Sequence, residues 1–353
     1  MSFFAYSRTP EGHLLERFGL DFEDFAVGQR FVHRPGVTVS QQDNAMESLD
    51  TVNAAMIHYD AHYSAQTSWK LPLVVSTITL QALMGLSSKT FARRQRVTRF
   101  DSIAMTSPVF GGDTLYAESE VLLKREDGES ETGEVQVLGQ VFNEKGKVVA
   151  KVTYWARVYK RGCGPVQSPP HVSELQAVED ERFRSHRIDD QGRHVEQTGL
   201  FFEQFQPGET FLHWPRRTLT AQEGMTKAWR SMNWSPDYHD MAWADSQGWP
   251  QVRLPQAWVL SVATAMTTRT FGRVVANLGW TDVQMHRDLE AGDTLRSQST
   301  VLETRLSSSR PNEGILTVRT ESFDSAQRLV LGYVRNLLVY KASSPSPYLL
   351  AGY

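Results

Sequence analysis

The stretch "NAAMIHYDAHYSA" (residues 53–65) places Asn53, His58, Tyr59, Asp60 and His62 within one short segment. An imidazole titrates near neutral pH, so a histidine here could take a proton from water or return one to a substrate. Asn53 cannot exchange a proton, but its amide has a donor and an acceptor with which to orient a water. Asp60 could orient an imidazole or act as a second carboxylate, or be a solvated loop residue. The i, i+4 spacing of His58 and His62 would suit a zinc-binding helix. A catalytic zinc needs three protein ligands, and the pattern supplies no third, so no metal is expected. The stretch "NWSPDYHDMAWAD" (233–245), 180 residues later, is an altered copy: Asn233 stands in the place of Asn53, and Tyr238 in the place of His58.

The same offset runs through the chain and decides which elements must carry these residues. "DFEDFAVGQRF" (21–31) returns as "FFEQFQPGETF" (201–211), Thr38 as Thr218, and "GGDTLYAESEV" (111–121) as "AGDTLRSQSTV" (291–301). From Gly133, matched by Gly314, the offset is 181, so one residue is added between Val301 and Gly314. That segment, "LETRLSSSRPNE", is polar and contains proline, as expected of a hairpin loop that tolerates insertion. In each repeat one helix precedes four strand-like segments. Val75, Ile78, Ala82 and Leu86 recur at helical spacing, as do Trp258, Val262 and Met266. Residues 147–159 alternate, with Val148, Ala150, Val152, Tyr154, Ala156 and Val158 on one face after a turn at Asn143–Gly146. One helix followed by a run of antiparallel strands predicts an α+β unit with the helix across the sheet. The expected division is an N-terminal repeat (1–160) carrying the chemistry, a crossover linker (161–199) with room for a short helix, and a C-terminal repeat (200–353) with a degenerate motif. The constant offset predicts that the repeats pack as a pseudo-twofold pair.

Composition excludes several classes of function. The 353-residue chain is 40% hydrophobic and 22% charged with a net charge of −3, which argues against a protein devoted to nucleic acid. The most apolar stretch, residues 71–86, is too short and too interrupted by polar residues to span a bilayer. The N-terminal residues do not read as a signal peptide. Cys163 has no partner cysteine, so a reducing, cytoplasmic location is expected.

The ordered set formed by the "FEDFxxGxxF" opening, a "T-V-S" strand, a histidine loop, a helix and "GGDTL" before a long strand, found twice, resembles the MaoC-like hydratases. The resemblance implies a double hotdog fold, with each long helix wrapped by an antiparallel sheet. "NAAMIHYDAHYSA", and "VYK" followed by Arg161, are similar to mesaconyl-CoA hydratases, also called β-methylmalyl-CoA dehydratases. Reversible addition of water across an α,β-unsaturated acyl-CoA is then implied, with a branched or dicarboxylic short chain such as mesaconyl-CoA favoured. No cofactor is implied beyond the coenzyme A of the substrate, and a homodimer or higher homo-oligomer is expected.

In that family an Asp precedes the catalytic His by five residues. Here those places fall on Asn53 and His58, so the resemblance makes His58 the acid/base and Asn53 a positioning residue. The family's helix begins with His-Gly, whose Gly N–H faces the thioester oxygen; here Val75 and Ser76 stand there. Ser76 N–H is the candidate oxyanion donor, with Tyr59 as a further substrate-binding candidate. Arg93, Arg94 and Arg96 follow the helix and are candidates for the phosphates of CoA, against the alternative of a solvated basic turn; the second repeat has Arg269 and Arg273 there. Asp237, His239 and Asp240 suggest either a rearranged second site or a repeat kept for packing. Thioester hydrolysis and non-catalytic acyl-CoA binding are the rival functions.

Overall fold

The computed structural model describes residues 2–126, 128, 131–165, 175–343 and 345–351. A hairpin of β1 (Tyr6–Arg8) and β2 (Leu14–Glu16) opens the chain. It is followed by β3 (Arg30–Thr38), α1 (Gln41–Asp50), α2 (Ala61–Gln66), α3 (Ser76–Leu86) and α4 (Ser88–Phe91). Four long strands complete the first repeat: β4 (Arg94–Met105), β5 (Thr114–Glu126), β6 (Thr132–Asn143) and β7 (Val148–Tyr159). After β8 (Gln176–Ala177) the plan repeats. The hairpin β9 (His186–Ile188) and β10 (His194–Glu196) leads to β11 (Thr210–Leu212), β12 (Arg217–Thr218), α5 (Ala221–Arg230), α6 (Met241–Ser246) and α7 (Gln256–Met266). The second set of long strands is β13 (Val274–Met285), β14 (Thr294–Leu306), β15 (Glu313–Phe323) and β16 (Leu329–Tyr340), and α8 (Pro347–Leu350) follows. The added residue of the second repeat falls in the loop 307–312 between β14 and β15, a narrower place than the sequence alone indicated.

Each repeat is the expected α+β unit. The inward face of β7 holds Ala150, Val152, Tyr154 and Ala156, all fully buried. The buried face of α3 centres on Thr79 and Leu83 rather than on Ile78 and Ala82, which are only partly covered. α3 is apolar nearly all round, so spacing alone does not locate the centre of its stripe. Gly139 of β6 settles the packing: a Cβ there would lie 2.6 Å from Leu83 Cδ2. The equivalent residues in the second repeat are Ala263 and Thr320, both fully buried. A large side chain on the helix facing none on the strand has become a small one facing a medium one, which conserves volume across the contact.

The segment 161–199 is more than a linker. Residues 166–174 lie outside the described residues, but β8, β9, β10 and a short turn at Glu181–Phe183 are ordered elements. The 180-residue repeat in fact begins near Phe3, whose equivalent is Phe183. The hairpins are exchanged. β9 and β10 extend the first repeat's sheet, in the order β4-β7-β6-β5-β3-β10-β9, with β10 parallel to β3. β1 and β2 extend the second sheet, β13-β16-β15-β14-β11-β2-β1-β8, with β2 parallel to β11. Three-residue strands give a weak periodic signal, which is why residues 175–199 resembled a connection. Reciprocal exchange is what a pseudo-twofold arrangement requires. Among the described residues no helix is long and apolar enough to cross a membrane.

The exchange is fastened by buried polar groups. Glu196 on β10 accepts from His33 Nδ1 at 2.9 Å and Thr90 Oγ1 at 2.6 Å, and its second oxygen accepts from Arg34 N at 3.3 Å. His33 Nε2 lies 2.7 Å from Ser119 Oγ. In the second repeat Arg269 Nε lies 3.3 Å from Glu16, and His213 bridges Thr270 and Ser299 at 3.2 and 2.7 Å.

Burial pushes the imidazoles of His186 and His213 down to about 3. Burial alone would raise the Glu196 carboxyl, but the charge and hydrogen bond of His33 outweigh it and hold the group at about 2. All three bind protons more weakly folded than unfolded, so the unfolded chain takes up more protons as pH falls. The stability these three groups contribute is therefore full above about pH 6.5, declines through the histidine window toward about 3, and loses the carboxylate part between about 4.5 and 2. Urea unfolding midpoints should fall steadily below pH 6.5, and His213→Gln should flatten that slope by up to about 1.4 kcal/mol per pH unit. A midpoint independent of pH between 4 and 7 would contradict this account.

Candidate active site

The loop that carries His58 is held by α1. Ser40 caps this helix, its Oγ accepting from Asp43 N at 3.1 Å while Asp43 accepts from Ser40 N at 3.0 Å. On the inner face of α1, Asn44 is fully buried and bonded on both sides. Its Nδ2 donates to the carbonyls of His58 and Leu73, each at 2.8 Å, and its Oδ1 accepts from Val75 N at 2.8 Å. Gln41 Nε2 also donates to the His58 carbonyl at 2.8 Å. One amide therefore ties the histidine loop, the segment before α3 and the start of α3 together.

His58 Nδ1 lies 2.8 Å from the Leu73 carbonyl. A carbonyl only accepts, so Nδ1 carries a proton, and in the neutral ring Nε2 keeps its lone pair. His58 lines a cleft of about 310 Å³ with Trp69, Leu73, Ser76 and Thr79, and Met105–Val109 at the end of β4 line it too. His58 and Ser76 are thus brought into one cavity. Ser76 is the first residue of α3, and its cap residue Val75 has no side-chain hydrogen bond to offer. First-turn N–H groups lack intrahelical partners and sit at the positive end of the helix dipole. A lone pair, a partly positive helix start and apolar walls together suit proton abstraction from water beside a developing oxyanion.

The other candidates from the sequence lie outside this cleft. Asn53 Oδ1 accepts from Ala55 N at 2.9 Å, so it shapes the turn after α1. Asp60 caps α2, its Oδ1 accepting from Tyr63 N at 2.9 Å. Tyr59 is half-buried just beyond the short turn Met56–His58 and does not line the cleft. Among the described residues no group of three His, Cys, Asp or Glu is placed to hold a metal. Arg93 is committed elsewhere. Its Nε pairs with Asp21 at 2.9 Å, its Nη atoms donate to the carbonyls of Pro165 and Cys163, and it lies over the Tyr159 ring. Its donors hold the segment after β7, which removes it from the phosphate-binding candidates. Arg94 reaches Met84 Sδ at 3.5 Å, and Arg96 is exposed on the outer strand β4.

Comparison with known proteins adds a family. Residues 23–141 match the family described as MaoC like domain, and residues 180–344 match the family described as mesaconyl-CoA hydratase. The two matches fall one in each repeat, so the chain is similar to the MaoC-like and mesaconyl-CoA hydratase families along most of its length. A mesaconyl-CoA hydratase of Haloarcula hispanica is 32% identical over 127 residues, 36% of either chain. A β-methylmalyl-CoA dehydratase of Chloroflexus aurantiacus is 27% identical over 103 residues, 29% of either chain. The matched segments thus span about a third of these relatives' length. A solved Mycobacterium tuberculosis protein described as a double hotdog aligns over 91% of this chain and 99% of its own, at 19% identity and TM-score 0.37.

The second repeat carries different side chains at the equivalent place. Gly224 stands in the place of Asn44, Tyr238 in that of His58 and Arg253 in that of Leu73. Arg253 pairs with Asp288 at 3.3 Å, Gln256 Nε2 donates to the same carboxylate at 2.9 Å, and Arg253 covers the Trp249 ring at 3.9 Å. These side chains stand where their equivalents line the first cleft. Asp237 accepts from Trp243 Nε1 at 2.9 Å and Asp240 caps α6, so neither forms a catalytic group with His239. The geometry fits a repeat kept for packing.

Asn44 was missed in the sequence reading. Its signal was an asparagine, a poor helix former, inside a helix where the other repeat has glycine. Asn44→Ala would leave two carbonyls and one N–H with lost or weakened bonding, and should lower unfolding free energy by roughly 2–4 kcal/mol. Chemical denaturation of the variant beside wild type measures this, and equal stabilities would refute the role given to the amide.

Proposed function

We propose that the chain is a hydratase/dehydratase that adds water to, or removes it from, an α,β-unsaturated acyl-CoA. The supporting observation is His58, which donates Nδ1–H to the Leu73 carbonyl and lines one cleft with Ser76, the first residue of α3. In this reading Nε2 takes a proton from water, and the oxygen adds to Cβ. The negative charge moving onto the thioester oxygen is met by the first-turn N–H groups at Ser76, and the imidazolium returns the proton to Cα. The same histidine thus acts as base and then acid, because Asn53 and Asp60 are spent on a turn and a cap. A branched or dicarboxylic short acyl group such as that of mesaconyl-CoA or β-methylmalyl-CoA is proposed, since these are the names its relatives carry. For the phosphates of CoA, Arg94 and Arg96 are the remaining candidates of the first repeat. A homo-oligomer belongs to the reading as well: β4 and β13 are both outer strands, with Phe100, Ile103 and Trp280 exposed.

His58→Ala should lower kcat/KM on mesaconyl-CoA by about 10²–10⁴, followed as loss of the conjugated thioester absorbance. Near wild-type rates would remove His58 from the mechanism. Release of free thiol in step with turnover would instead identify thioester hydrolysis.

A further inference from the structure

Each charged residue of this chain can be judged against its equivalent in the other repeat. Arg93 and Arg273 are such a pair, and both precede the strand that follows the central helix. Arg93 has Asp21 as its counter-ion at 2.9 Å. In the second repeat the place of Asp21 is taken by Phe201. The Arg273 guanidinium therefore lies between aromatic rings, 3.8 Å from the centre of Phe201 and 4.7 Å from that of Tyr348. Its Nε donates to the Gly199 carbonyl at 3.1 Å.

A second cation shares its surroundings. Arg187, whose first-repeat equivalent is Ser7, borders the same cavity of about 620 Å³, with Phe201, Val274, Tyr340 and Pro347 as apolar or aromatic walls. Among the described residues neither Arg187 nor Arg273 forms an ion pair with a carboxylate. Glu196 borders the cavity too, but its oxygens are taken by His33, Thr90 and the Arg34 backbone. Burial lowers the proton affinity of Arg273; Tyr348 opposes this, and the charge of Arg187 adds to it. Two guanidiniums facing one partly buried space are an unfavourable arrangement until an anion enters.

We propose that this cavity binds a phosphorylated small molecule, with its phosphate between Arg187 and Arg273 and its body against Val274, Tyr340 and Pro347. A phosphate has enough charge and acceptor oxygens to satisfy two guanidinium forks, whereas a single carboxylate satisfies one. The volume lies within the range of small-molecule sites. The cavity shares no lining residue with the His58 cleft, so the site is separate from the proposed hydration.

Isothermal titration of the full chain with ADP, inorganic phosphate and succinate tests the assignment. ADP should bind saturably, more weakly at raised salt, and Arg187→Gln should weaken it by about tenfold or more while leaving the melting temperature unchanged. Arg187 is half-buried with no ion pair to lose among the described residues, so this variant should fold even where Arg273→Gln does not. Three results would each overturn the proposal: no saturable binding of ADP or phosphate, succinate binding tighter than ADP, or ADP affinity unchanged in Arg187→Gln.

Discussion

A carboxylate cannot be buried without partners, and Glu196 is fully buried with three. Those partners come from β3 and from the end of the helical region at Thr90, while Glu196 itself arrives on a hairpin from the following repeat. The hydrogen bonds therefore hold β10 in parallel register beside β3 and tie α4, through Thr90, to both strands' junction. The opposite exchange, β2 beside β11, uses Glu16 and Arg269. Because each repeat completes the other's sheet, neither half of the chain has its full sheet alone.

With one end of the helical region anchored at this junction, the other end is left to form the site. α3 runs from Ser76 to Leu86, and the contact of Leu83 with Gly139 fixes its height on the sheet. The start of the helix then falls beside the loop that Asn44 ties down. Chemistry is concentrated where the Leu73 carbonyl orients the imidazole and the first residue of α3, Ser76, lines the same cleft.

The second repeat keeps the architecture and gives up this end. Gly224 cannot tie the loop, and Arg253, Asp288 and Gln256 form a polar cluster where the first repeat has a cleft. At the other end the divergence runs the opposite way. Replacing Asp21 by Phe201 and Ser7 by Arg187 turns a neutralised arginine into a cationic cavity. Duplication thus freed each copy to alter a different end of its helix.

The sequence by itself determined the duplication, the order of helix and strands and the register that singled out His58, because these depend on local periodicity and on a constant offset. It also marked Asn53 and Asp60 as catalytic candidates, whereas their roles as turn and cap depend on which backbone N–H groups each side chain meets. Tertiary structure alone decided the exchange of hairpins, since three-residue strands carry no usable period and their partners lie some 160 residues away, as Glu196 and His33 show. It alone showed that Arg93 pairs with Asp21 while Arg273 lies over the rings of Phe201 and Tyr348, and that Asn44 ties the site together. Hydrogen bonds and ion pairs between distant segments leave no pattern in either segment taken singly; they exist only once packing has brought the groups to within about 3 Å.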